Sequence, residues 1–157
     1  MKLSQHFELA EFTRSDTARR LKIDNVPNLQ QIENLTNLCI NVLEPARQIT
    51  KSQIYITSGF RNKLLNQAVG GVPTSQHCDG LAADLRVYTQ FYNENLVRAL
   101  MSTDFDQLIF EKSGARKWIH VSWSKNPRHQ IFDYWKYDKN RTNKTPSGQR
   151  TSSRTVR

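Results

Sequence analysis

Cysteine is scarce in this sequence. Cys39 and Cys78 are the only two among 157 residues, too few for a disulfide framework. Long apolar runs are missing too, and nothing approaches the ~18–20 residues that a membrane-spanning helix needs. The N-terminal stretch MKLSQHFELAEF has no continuous apolar core of the secretory kind. These absences lead to the expectation of a chain without a membrane span, made and kept in the cytoplasm unless something else releases it. Acidic residues are in the minority, 14 against 23 basic ones, for a net charge of +9. Most of that excess lies at the end. Residues 136–157 hold seven Lys or Arg and one Asp, a net +6, which leaves +3 for residues 1–135.

The last segment, KYDKNRTNKTPSGQRTSSRTVR, has almost no apolar side chains. It cannot offset the entropy of ordering and is expected to be a disordered basic tail. Such a tail suits contact with an anionic polymer, whether nucleic acid or an acidic cell wall; the plain alternative is a solubilising tail without a partner. What precedes it is ordinary for a soluble globular protein, with 37% hydrophobic and 24% charged residues over the whole chain. One domain over residues 1–135 is expected, in a monomer. No internal repeat is present.

HFELAEFTRSDTARRLKI opens with a short helical segment in which Phe7, Ala10 and Phe12 can pack inward. Pro27-Asn28 reads as a helix start, with Asn28 as cap and Gln31 three residues on. Ile32, Leu35, Leu38, Cys39, Val42, Leu43, Ala46 and Ile49 then recur at steps of three and four, predicting one long helix that Pro45 bends. Cys39 on that stripe reads as a small buried hydrophobe. Gln53–Thr57 reads as a strand ended by Ser58-Gly59, Arg61–Ala68 as a short helix, and Gly70, Gly71 and Pro73 as a loop. Ala82–Val87 follows as a strand, Gln90–Met101 as a helix, and Asp106–Glu111 and Trp118–Trp123 as strands. Helices first and a mostly antiparallel sheet later give an α+β class.

Chemistry concentrates in TSQHCDGLAADLRV, residues 74–87. A carboxylate inside an apolar strand needs a partner. Alternation puts Ala83, Leu85 and Val87 on one face and Ala82, Asp84 and Arg86 on the other. In WIHVSW, Ile119, Val121 and Trp123 share one face, and Trp118, His120 and Ser122 the other. Each strand thus presents one metal-ligand type of residue, and the loop delivers His77 as a third. Two imidazoles and a carboxylate suit zinc and leave a fourth position for water, whose pKa falls to ~7 when bound. Cys78 beside His77 is a weaker candidate, since neighbouring side chains on an extended segment point apart.

The proton of that water needs a base, and Glu111 is the candidate. KSGARK joins the last two strands and suits a hairpin; if Glu111 pairs with Trp118, it lies on the face of His120. A slip of one residue would turn it away. Each residue also has a plain reading: His77 a loop histidine, His120 a satisfied sheet histidine, Asp84 a partner of Arg86, Glu111 a strand-end charge. Trp118 fits a substrate pocket or simple packing, and His6 and His129 read as surface or capping residues.

SQHCDGLAAD (Ser75–Asp84) fits the S-x-H-x-x-G-x-A-x-D signature of the M15 family of zinc D-Ala-D-Ala peptidases, which the chain resembles. WIHVSW is similar to that family's second histidine strand, and ITSGFR (Ile56–Arg61) to the S-G-[YF]-R segment before the signature. HFELAEFTRSDTA and the Gly70-Gly71 pair look like its small single-domain branch, common in phages and bacteria. The resemblance spans roughly residues 3–125. It implies a Hedgehog/DD-peptidase-like fold, with helices packed on a mostly antiparallel central sheet, and one Zn2+ held by His77, Asp84 and His120. It further implies that Arg61 holds the polarised peptide oxygen or a substrate carboxylate, and that Ser75 faces substrate or supports the ligands. Many members carry an acidic residue three positions before the last histidine, where this chain has Lys117. Glu111 instead resembles the glutamate preceding the equivalent strand in Hedgehog-like members, with a longer intervening loop.

The resulting expectation is a zinc peptidase that cuts the peptidoglycan stem, at D-Ala-D-Ala or at an L-Ala-D-Glu-type bond, and acts on the wall after release, as a phage or prophage lysin would. A Hedgehog-like zinc module without turnover is the alternative, and a nucleic-acid binder using the tail a third.

Overall fold

The computed structural model describes residues 1–135. The expected basic tail, residues 136–157, lies outside them. Two short helices open the chain, α1 (Leu9–Thr13) and α2 (Asp16–Leu21), followed by α3 (Leu29–Leu38) and α4 (Glu44–Thr50). Then come β1 (Ile56–Ser58), α5 (Lys63–Ala68), a 3-10 turn (Gln76–Asp79), β2 (Ala82–Arg86) and α6 (Gln90–Met101). Strands β3 (Phe105–Ser113), β4 (Arg116–Trp123) and β5 (Gln130–Asp133) complete it. The fold is α+β, and the five-stranded sheet has the order β1-β2-β4-β3-β5. Every pairing is antiparallel except β3 with β5.

Asn28 caps α3 as its sequence context predicts. Its side chain accepts from the Gln31 amide at 2.9 Å, and the Gln31 side chain accepts from the Asn28 amide at 2.8 Å. The long helix expected beyond it runs without a gap from Leu29 to Thr50, with one change of winding. Cys39–Leu43 winds as a π-helix, and Pro45 falls in the first turn of α4, where a missing N–H costs little. The stripe from Leu35 to Ala46 is buried as expected, but Ile49, in the last turn of α4, is exposed.

Other boundaries shift for identifiable reasons. The short helix starts at Lys63, not Arg61, because Asn62 caps it by accepting from the Leu65 amide at 2.7 Å. Gln53–Tyr55 precedes β1, with Tyr55 still accepting from the Arg86 amide of the neighbouring strand at 3.0 Å. Phe7 and Phe12 are buried edge-to-face at 6.2 Å, while Ala10 points to solvent. The six-residue KSGARK connection shrinks to a turn at Gly114-Ala115, since both strands run on into it. Strand β5, which the sequence pattern does not mark, adds a parallel edge beside β3.

One face of the sheet is the core. Ala83, Leu85, Leu108, Phe110, Ile119 and Val121 are buried there beneath the helices. The opposite face carries a row across four strands: Ser58 pairs with Asp84, Asp84 with His120, and His120 with Ile109. The next row holds Arg86, Trp118 and Glu111. The hairpin register is the one that puts Glu111 on the face of His120.

Candidate metal centre

Asp84 and His120 are opposed on neighbouring strands, so their side chains leave the same face in contact. His77 arrives from the 3-10 turn, which ends at Gly80 with φ +71°. A Cβ on Gly80 would stand 2.5 Å from the Gln31 carbonyl oxygen, so the turn can lie against α3 only with glycine there. Gln31 Nε2 donates to the Cys78 carbonyl at 2.9 Å, and Asn34 Nδ2 to the Asp79 carbonyl at 2.8 Å. On its other side, the Arg61 amide donates to the His77 carbonyl at 3.1 Å.

Three ligand-type atoms converge. His77 Nε2 lies 3.2 Å from Asp84 Oδ1, His120 Nδ1 lies 3.1 Å from the same oxygen, and the two nitrogens are 3.2 Å apart. Among the described residues this is the one group of three or more such side chains able to hold a metal ion. Cys78, buried with a free thiol, is not part of it. Asp84 has its charged contacts with the two histidines and with Arg61 Nη1 at 3.9 Å, so pairing with Arg86 does not account for it.

The proton inventory shows that these residues fit a cation. His77 Nδ1 is 2.6 Å from the Gly59 carbonyl, which only accepts, so Nδ1 carries the hydrogen. Nε2 of the neutral ring is then a lone pair aimed at a carboxylate oxygen. Burial disfavours the imidazolium and lowers the His77 pKa, although Asp84 pulls the other way. Two acceptors facing each other at 3.2 Å repel unless a proton or a metal ion lies between them. Tetrahedral zinc with ligands at 2.0–2.1 Å holds them about 3.3 Å apart. Burial alone would raise the Asp84 pKa. The two imidazoles reverse this and hold the carboxyl well below its usual range, so it is an anion ready to ligate.

Gly59 orients the first imidazole, and its place is also steric. A Cβ there would meet the Phe12 backbone at 2.6 Å, so the ITSGFR segment approaches α1 closely enough only with glycine. Arg61 donates through Nη1 to Ser58 Oγ at 3.2 Å, and its buried Nε has no hydrogen-bond partner among the described residues. Burial lowers its pKa and Asp84 opposes that. Ser75 starts the 3-10 turn without a side-chain capping bond. Trp118 and Glu111 are half-buried in the row beside His120, and the Trp135 indole donates to the Glu111 carbonyl at 2.7 Å.

A cavity of about 340 Å³ adjoins the centre and shares Ser58 and Arg61 with it. Arg14 and Arg116 also line it, with Thr57 and Leu65. Three guanidinium groups against one carboxylate, Asp16, leave its lining net cationic and suited to anionic groups.

Sequence reading missed a second buried carboxylate. Asp106 is 1% exposed and takes hydrogen bonds from Gln76 and Arg128. The signal was there in FDQLIF, a charge within an apolar strand, the same sign that drew attention to Asp84.

A family model described as Peptidase M15 matches residues 5–122, well over half of the chain. No curated protein matches the sequence significantly.

Proposed function

This chain belongs to the M15 peptidases, and as a zinc-dependent hydrolase of that family we propose that it cuts a peptide bond in the peptidoglycan stem. The observation that carries the reading is the convergence of His77 Nε2, Asp84 Oδ1 and His120 Nδ1 within 3.2 Å on one sheet face. His77, Asp84 and His120 would hold the zinc. When bound there, the ion supplies Lewis acidity and brings the pKa of a water near 7.

The chain's own groups do the rest. Glu111, on the strand face of His120, takes the proton of the attacking water and passes it to the leaving amine. Arg61, held beside Asp84 and Ser58, stabilises the negative charge that develops on the carbonyl oxygen. Trp118 flanks the substrate in the row next to His120, and Ser75 meets it at the mouth of the 3-10 turn. The cationic cavity lined by Arg14, Arg61 and Arg116 suits stem peptides, which carry free carboxylates at or beside the bonds in question. The basic segment 136–157 would draw the enzyme to anionic wall polymers, where it acts once released.

The experiment is mass spectrometry of muropeptides after digestion of purified cell wall, with and without a chelator. Loss of a terminal D-Ala identifies a carboxypeptidase, and a cut within the stem an endopeptidase. Zinc uptake with intact muropeptides would leave the other reading, a zinc-containing binding module without turnover.

A further inference from the structure

Asp106 opens the apolar run of β3 where the pairing with β4 slips between Phe105 and Leu108. The irregularity gives Asp106 Oδ1 the Arg128 amide at 3.0 Å and the Arg128 Nε at 2.9 Å. Arg128 Nη2 reaches Oδ2 at 2.5 Å. Beside the slip, the Gln107 amide donates to the fully buried Ser122 Oγ at 3.0 Å. A buried carboxylate fully met by one arginine would need nothing more. Yet Asp106 Oδ2 also accepts from Gln76 Nε2 at 2.8 Å, across 30 residues of sequence.

Gln76 is the first residue of the 3-10 turn and the neighbour of His77. Its buried Oε1 has no partner among the described residues, so the bond to Asp106 sets where this side chain lies. The turn is thus gripped from several sides. Gln31 and Asn34 hold its far end from α3, Gly59 and Arg61 hold His77, and Asp106 holds its beginning. We infer that Asp106, through Gln76, is a positioning residue for the metal centre, fixing the turn so that His77 Nε2 stays on Asp84 and His120. Arg128 keeps the carboxylate aimed. The inference rests on the metal reading above for what His77 holds.

The test is zinc affinity, measured by competition with a fluorescent chelator on the full chain, alongside thermal melting of the zinc-free protein. Gln76→Ala leaves the Asp106–Arg128 pair intact, so the zinc-free melting transition should barely move. Zinc affinity should fall about 10- to 100-fold, the usual cost of losing an outer-shell partner. Gln76→Glu, which sets two carboxylates together, should weaken zinc further. A Gln76→Ala protein with wild-type affinity overturns the inference and leaves Asp106 a structural ion pair. So does a loss of affinity matched by collapse of zinc-free melting. Wild-type protein that takes up no zinc would instead sink the metal reading itself, which separates the two failures.

Discussion

His77 and His120 meet with their ring centroids 5.0 Å apart and planes at 65°, so that Nε2 of one and Nδ1 of the other stand 3.2 Å apart over a single carboxylate oxygen. With Asp84 Oδ1, the two nitrogens form a three-atom cluster that could hold a cation. Added zinc should therefore stabilise the fold by mass action, by about 2.7 kcal/mol at a free concentration one hundred times Kd. Scanning calorimetry with and without chelator checks this. His77→Ala, Asp84→Ala and His120→Ala should each abolish the zinc-dependent shift.

Acid should weaken the zinc-free protein in two stages. The folded pKa of His77 lies below its ordinary value, because burial disfavours the imidazolium. The unfolded chain therefore binds that proton first, and the stability this group provides is present above about pH 6.5 and is lost as pH falls towards the folded value. Asp84, Glu44 and Asp106 are carboxylates whose folded pKa values also lie low: burial raises them, but hydrogen bonds and nearby positive groups outweigh it. Their contribution is lost below about pH 4. Urea midpoints of zinc-free protein at pH 8, 5.5 and 3.5 should fall in that order, and His77→Gln should flatten the first step.

Glu111→Gln removes the proposed base while keeping size and placement. We expect kcat to fall about 10²- to 10⁴-fold on whichever stem peptide is cut, the range typical of a lost general base. Zinc content, read by atomic absorption, should not change. Unaltered turnover would move the proton transfer to another group.

Arg61→Ala should reduce kcat/KM about 10²- to 10³-fold, as removing an oxyanion donor does. Arg61→Lys should recover little of it, because an ammonium lacks the planar fork that could bond Ser58 and, in the proposed mechanism, a substrate oxygen together. Steady-state kinetics on a synthetic stem peptide distinguishes this from a loss of KM alone.

Gly80→Ala should cost about 1–3 kcal/mol through its left-handed backbone, and more through the collision with the Gln31 carbonyl. Because the affected turn carries His77, melting temperature and zinc affinity should drop together.

The His6–Glu44 contact shows how far local reading reaches. His6 is exposed, as a surface or capping histidine should be, but no local pattern reveals its partner: Nδ1 lies 2.8 Å from Glu44 Oε2, while Ser4 Oγ donates to Oε1 at 2.7 Å. A buried carboxylate on α4 thus pins the N-terminal segment, and that pairing spans 38 residues. His129 is similar: its ring packs edge-on against Phe105 from a left-handed backbone position.

What the sequence determines by itself is whatever local periodicity and steric rules govern. Alternation in LAADLRV and WIHVSW decides which side chains share a face, Asn28 and Gln31 decide where α3 begins, and the Gly114 turn decides the register that brings Glu111 beside the row of His120. Those are interactions between near neighbours, so a short window contains all the participants. Tertiary structure alone decides which of these faces meet. It brings His77 to His120 across 43 residues, leaves Cys78 outside, selects Nε2 of one ring by giving Nδ1 to Gly59, and draws Gln76 onto Asp106. Such contacts form only after the core beneath the sheet has paid the entropy of closing the long loops between them, and no period in the chain encodes that.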